Sequence, residues 1–157
     1  MKLDNAKRAG RIRLFYMLIP LLVVIAAGVT YLVYDVKDLL YMMYAFIVLV
    51  IFFIIMGIFR FNYIVFYAGP DKIRVRFKSL TPFNSPSNSV VIKIEDFHSY
   101  EIKTSLMGYK KVLILFQKTP SGLAKYPGIG FSALTDVEIE KIKKALDLAL
   151  LINKSKK

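Results

Sequence analysis

Four cations recur at every second position of Lys72-Ile73-Arg74-Val75-Arg76-Phe77-Lys78, with Ile73, Val75 and Phe77 between them. Side chains alternate on an extended chain, so this run predicts a strand with one apolar side and one basic side. A basic side suits binding of anionic groups rather than bond making. Few other residues are grouped for chemistry. His98 is the one histidine, and Glu95, Asp96 and Glu101 are near enough in sequence to orient it for acid–base work. No serine stands in a nucleophile elbow and no second ligand type joins His98, so an ordinary surface or strand-end histidine is expected and no catalytic residue is assigned. Glu95-Asp96 is too small a cluster for a dedicated metal site, and the absence of cysteine excludes thiolate ligands, disulfides and lipid-modified cysteines. Gly128-Ile129-Gly130 lacks the third glycine and the following lysine of a phosphate loop, which predicts a simple flexible turn. Ser79 to Ser89 is rich enough in serine for phosphorylation, as any such loop is. Neither metal nor cofactor is expected.

The elements that must position the basic strand begin with the membrane. The 157 residues are 56% hydrophobic, above what a soluble domain of this size carries. The excess lies between Leu14 and Phe59, where the only charges are Asp35, Lys37 and Asp38. Leu14 to Tyr34 and Leu39 to Phe59 are 21 residues each, about 31 Å of helix and enough to cross a hydrocarbon core. The division expected is a basic N-terminus (1–13), a first transmembrane helix (14–34), an external loop (35–38), a second transmembrane helix (39–59), a cytoplasmic domain (60–152) and a basic tail (153–157). A signal peptide is the competing reading of the first run, but its apolar stretch is long and a second span follows directly.

Charge orients the pair. Lys2, Lys7, Arg8, Arg11 and Arg13 precede the first span and Arg60 follows the second, while Lys37 in the loop lies between two aspartates. The positive-inside rule places both termini in the cytoplasm of an inner membrane. Phe15 and Tyr16 fit the inner interface, and Tyr31, Tyr34 and Tyr41 the outer one. No ionisable side chain interrupts either span, which argues against a transporter. Pro20 is a candidate kink, and Ala26, Ala27 and Gly28 offer small residues for close helix packing, within the hairpin or to an oligomer partner.

Beyond Arg60 the pattern alternates. Strands are expected at Asn62 to Ala68, through Lys72 to Lys78, at Ser89 to Glu95, His98 to Thr104 and Lys111 to Gln117. Gly69-Pro70-Asp71 and Leu106-Met107-Gly108-Tyr109 suit turns, and Thr119 to Gly130, with two prolines and three glycines, reads as a connection. Thr135-Asp136-Val137-Glu138 has capping-box spacing, and Ile139, Ile142, Leu146, Ala149 and Leu150 make one apolar face, which predicts an amphipathic helix from about Asp136 to Ile152. The fold class is therefore an N-terminal transmembrane helical hairpin followed by an α+β domain, an antiparallel curved sheet or partial barrel of about five to seven strands closed by a C-terminal helix.

Two spans, a short all-β segment and a closing helix introduced by Phe131-Ser132-Ala133-Leu134-Thr135-Asp136 resemble small bacterial membrane proteins that carry a pleckstrin-homology-like (PH-like) domain. The resemblance covers residues 62–152 in pattern. It implies a barrel-like sheet capped by the helix, lipid or protein binding, and no catalysis. On the residues themselves, Arg60, Lys72, Arg74, Arg76 and Lys78 are the candidate binding surface. Several juxtamembrane cations near an anionic leaflet contribute about 1 kcal/mol each; the alternative is that they merely solvate an exposed sheet face and discourage edge pairing. The expectation is a non-enzymatic membrane protein that binds anionic lipid headgroups or a membrane protein partner. The alternatives are a small accessory subunit of a larger membrane complex and, for the hairpin, a homo-oligomer. Nucleic acid is not expected, since no stacking motif accompanies the cations.

Overall fold

A computed structural model describes residues 1–33, 39–59, 61–81 and 86–155. Two helices, α1 (Ala6–Val33) and α2 (Leu39–Phe59), are each long and apolar enough to cross a membrane. Strands β2 (Asn62–Ala68), β3 (Lys72–Ser79) and β4 (Ser87–Lys93) follow, then β5 (Phe97–Ser105), β6 (Lys110–Thr119), β7 (Gly122–Lys125), β8 (Ile129–Gly130) and the closing helix α3 (Asp136–Ser155). A further strand, β1 (Lys2–Asp4), precedes all of them.

The strands form two antiparallel sheets, β1-β2-β3-β4 and β5-β6-β7, with β8 paired to β6 beyond the end of β7. The sheets do not close into a barrel through hydrogen bonds among the described residues. A 3-10 turn, Ile94–Asp96, carries the chain from β4 to β5, so the expected strand to Glu95 stops at Lys93. Between Phe97 and Ser99 the β5–β6 register slips by one residue, which leaves His98 at a bulge.

The core is what the alternation dictates. Ile64 and Phe66 of β2, Ile73 and Val75 of β3, and Val90 and Ile92 of β4 point inward to meet Phe97, Leu113, Leu115 and Ile129 of the second sheet. Ile139, Ile142, Ala145, Leu146 and Ala149 of α3 pack on the same cluster. The capping box forms as its spacing predicts: the Glu138 N–H donates to Thr135 Oγ1 at 3.2 Å, and the Thr135 N–H donates back to Glu138 Oε2 at 2.7 Å. Asn153 Nδ2 donating to the Phe97 carbonyl and the Tyr100 hydroxyl donating to Asp147 tie the rest of α3 to β5.

The stretch 1–13 is not a separate basic segment. Lys2–Asp4 pairs with Val65–Tyr67 as an edge strand, and α1 already begins at Ala6. Asn5 makes the change of structure possible. Its carbonyl accepts the first helical bond from Ala9, whereas its side chain turns into the sheet, taking the Ile64 N–H at 2.8 Å and donating to the Asn62 carbonyl at 3.1 Å. Asp4 takes over the capping role, accepting from the Ala6 N–H at 2.8 Å. Asn62, the other buried polar residue at this junction, donates to the Gly130 carbonyl at 3.1 Å and so links the first sheet to β8 of the second.

Where the helices meet the domain, Ala9, Tyr16 and Leu80 form a second buried cluster with Phe52, Met56, Phe61 and Tyr63 around it. Tyr16, expected at the inner membrane interface, is buried against α2. Its hydroxyl donates to the Met56 carbonyl at 3.1 Å, one of the last-turn acceptors that have no partner within the helix. Helix α1 continues through Pro20 without a break. A Cβ built on Gly28 meets nothing within 4 Å, and Ala26 is exposed, so within this chain the expected small-residue packing does not occur at Gly28.

Candidate interaction surface

Strand β3 alternates as its sequence requires: Ile73 and Val75 are buried, while Lys72, Arg74, Arg76 and Lys78 are exposed. The register shows what stands beside each cation. Lys78 lies between Tyr63 and Ser87, Arg76 between Val65 and Ser89, Arg74 between Tyr67 and Val91, and Lys72 faces Lys93. The pairing of β1 with β2 extends the same face to Lys2, opposite Tyr67, and Asp4, opposite Val65. The surface is thus a four-stranded face carrying six cations against one carboxylate, with two tyrosines among them. Arg60, expected to belong to it, lies outside the described residues.

The one acid is already engaged. Asp4 accepts from the Ala6 N–H and, through its other oxygen, from the Tyr63 hydroxyl at 3.3 Å. Burial first, then the charge and hydrogen bond of Asp4, push the Tyr63 hydroxyl pKa above its ordinary value. No salt bridge reaches Lys72, Arg74, Arg76 or Lys78 among the described residues. Lys72 and Lys93 sit directly across the ladder, an arrangement that is unfavourable for like charges unless anions are near. Asp71 and Glu95 line the same shallow depression and offset part of that repulsion. The neighbouring Tyr67 ring lies over the β2–β3 turn, where a Cβ on Gly69 would stand 2.9 Å from it.

The cations do not share one distance from the helices. Lys78 pairs with Tyr63, four residues past the end of α2, whereas Lys72 is six residues farther along the strand, about 20 Å at the usual strand rise. The domain is also held at its helix end by three separate attachments: β1 on β2, Asn5 between Asn62 and Ile64, and the Arg8 guanidinium on Glu138 at 2.8 Å. Partial burial raises the Glu138 pKa, but the Thr135 N–H and hydroxyl and the Arg8 charge outweigh it, and the net shift is downward.

The residues considered for other chemistry are not brought together. His98 is exposed on β5, and Asp96 accepts from Gln117 at 3.5 Å rather than from the imidazole. Among the described residues no three metal-ligating side chains cluster. The Gly128-Ile129-Gly130 segment is not a flexible turn. Ile129 and Gly130 form β8, paired with Leu113 and Val112, and a Cβ on Gly128 would stand 2.6 Å from Val112 Cγ1.

Sequence reasoning found the four cations of β3 but missed Lys2, Tyr63, Tyr67 and Lys93. Tyr63 and Tyr67 carried a signal, because alternation within Asn62 to Ala68 sets them opposite Ile64 and Phe66. The chain matches no family model, no curated protein and no solved structure.

Proposed function

We propose that this is a non-enzymatic membrane-anchored docking protein, in which α1 and α2 cross the inner membrane and hold a PH-like β domain on its cytoplasmic side. The cationic face of β1 to β4 receives an acidic protein partner beside the bilayer. Pairing of β1 with β2 supports the two crossings, since residues 2–4 and 65–67 must share one side of the membrane to hydrogen-bond. Lys2 and, in the first turns of α1 before its apolar run, Lys7, Arg8, Arg11 and Arg13 support a cytoplasmic side. The closing helix packed on an antiparallel β core supports the PH-like reading, although among the described residues the sheets do not join into the barrel that the resemblance implies.

The observation that carries the partner reading is the combination of reach and restraint. Six cations extend along a face about 20 Å long, and the domain is attached near the Lys78 end through Asn5 and Arg8, with β1 paired alongside the Arg74 and Arg76 rows. Screening at physiological salt makes attraction decay with a length of about 8 Å, so cations farther from the bilayer gain little from it. A domain hung on a flexible linker would lay the whole face on anionic lipid, but one attached at three points offers most of it sideways, to a protein. An accessory subunit of a larger membrane complex is the form this role takes.

Purification of the full chain in mild detergent tests the reading. The expected result is a defined acidic partner that co-purifies at low salt, dissociates at high salt and is lost in the double variant Arg74→Glu, Arg76→Glu. Solitary migration at low salt contradicts it. Equal partner recovery with the double variant contradicts the assignment of the face.

A further inference from the structure

We propose that the β5–β6 turn, Leu106–Tyr109, is an additional membrane contact that inserts its apolar side chains into the headgroup–acyl boundary of the leaflet from which α1 and α2 emerge. The inference rests on the reading that these two helices cross the bilayer.

Two independent links bring the turn to the helix end of the domain. Asn62, three residues past α2, donates to Gly130, which pairs with Val112, and Val112 in turn pairs with Lys103 of β5. From there the ladder runs through Thr104–Lys111 and Ser105–Lys110 directly into the turn. On the other side, Arg8 of α1 donates to the Ala133 carbonyl at 3.4 Å, and Ser132 and Phe131 beside it bond to the backbone of Lys111. Both ends of the helix pair are therefore connected to the strand ends from which the turn projects.

The turn itself has the composition and geometry of a contact without a partner in the domain. Met107 is 99% exposed, Tyr109 72% and Leu106 50%. Leu106 and Met107 both have φ of 53°, a left-handed conformation that hairpin turns usually assign to Asn or Gly, and they are the only non-glycine residues with positive φ among those described. Strained backbone that displays apolar side chains to water gains nothing from the fold that contains it. Lys110 follows directly, as a cation does beside an apolar anchor at an anionic surface, while Lys111 next to it is paired with Asp136. The turn at the far end of β6 is the internal comparison. It is Thr119-Pro120-Ser121-Gly122, polar, and held by the Thr119 hydroxyl on the Gly122 carbonyl at 2.8 Å.

Because the chain contains no cysteine, Met107→Cys, Ser121→Cys and Ile47→Cys each provide a single attachment point for a polarity-sensitive fluorophore. The full chain is reconstituted in vesicles of phosphatidylethanolamine and phosphatidylglycerol containing nitroxide lipids, some labelled near the headgroup and some deep in the acyl chain. The expected result is strong quenching at 47 by the deep label, quenching at 107 by the shallow label several-fold above that at 121, and a blue-shifted emission at 107. Quenching at 47 with 107 no different from 121 overturns the insertion and leaves the spans standing. Absence of quenching at 47 overturns the membrane reading itself, and the insertion with it.

Discussion

Arg8 donates to Glu138 at 2.8 Å, joining the first turn of α1 to the first turn of α3 across 130 residues of sequence. The same Glu138 oxygen accepts from the Thr135 N–H and hydroxyl, so one carboxylate completes a helix cap and attaches the membrane helix to the domain. Its pH dependence follows. The folded pKa is depressed below the ordinary 4.5, so the contribution is present above that value and lost as pH falls through the folded pKa. Thermal unfolding of the detergent-solubilised chain should show a Tm that declines as pH drops below about 4.5, with the decline reduced in Glu138→Gln. An identical acid decline in the variant would remove Glu138 from the account.

Asn5→Ala should destabilise the junction more than its small size suggests. The change leaves the buried Ile64 N–H and Asn62 carbonyl without their partner, at about 1–3 kcal/mol for each orphaned group. Chemical denaturation followed by tyrosine fluorescence measures it, and a change below about 0.5 kcal/mol would show that water replaces the side chain without loss.

Leu3→Pro tests whether β1 is part of the sheet in solution. Proline cannot donate to the ladder, and Ile64 and Ala68, whose amides bond to Asn5 and the Met1 carbonyl, lie opposite this strand. Their hydrogen exchange should accelerate roughly tenfold or more, equivalent to about 1.4 kcal/mol of opening free energy. Unchanged exchange would mean that the pairing does not persist.

Much of this architecture was readable in the sequence, and the parts that were not share a cause. Alternation announced β2 and β3, and the Thr135–Glu138 spacing announced α3, because each signal is local. Strand β1 is only three residues long, and its partner lies some sixty residues away, so its cations read as flanking charge for the first span. Strands β7 and β8 are four and two residues long and are set among prolines and glycines, the composition of a connection. The β3 cations were legible one strand at a time. Their union with Lys2, Tyr63, Tyr67 and Lys93 required the register, and the closeness of the 106–109 turn to the helices required the Asn62–Gly130 bond.

Gly128→Ala should cost about 1–3 kcal/mol by overpacking, because the new methyl group meets the stiff Val112 side chain. Adding Val112→Ala should recover part of the loss, a coupling that a double-mutant cycle reads directly. Additive losses would place the strain elsewhere.

Docking of an acidic protein on the cationic sheet face is read by a photo-crosslinking amino acid at Val91, exposed beside Arg74 on that face, in the full chain within native membranes. A discrete protein adduct is expected at Val91. The adduct should be lost with Arg74→Glu, Arg76→Glu and absent from the same probe at Lys125 on the other sheet. Adducts to lipid alone at Val91, or the same adduct at both positions, would contradict it.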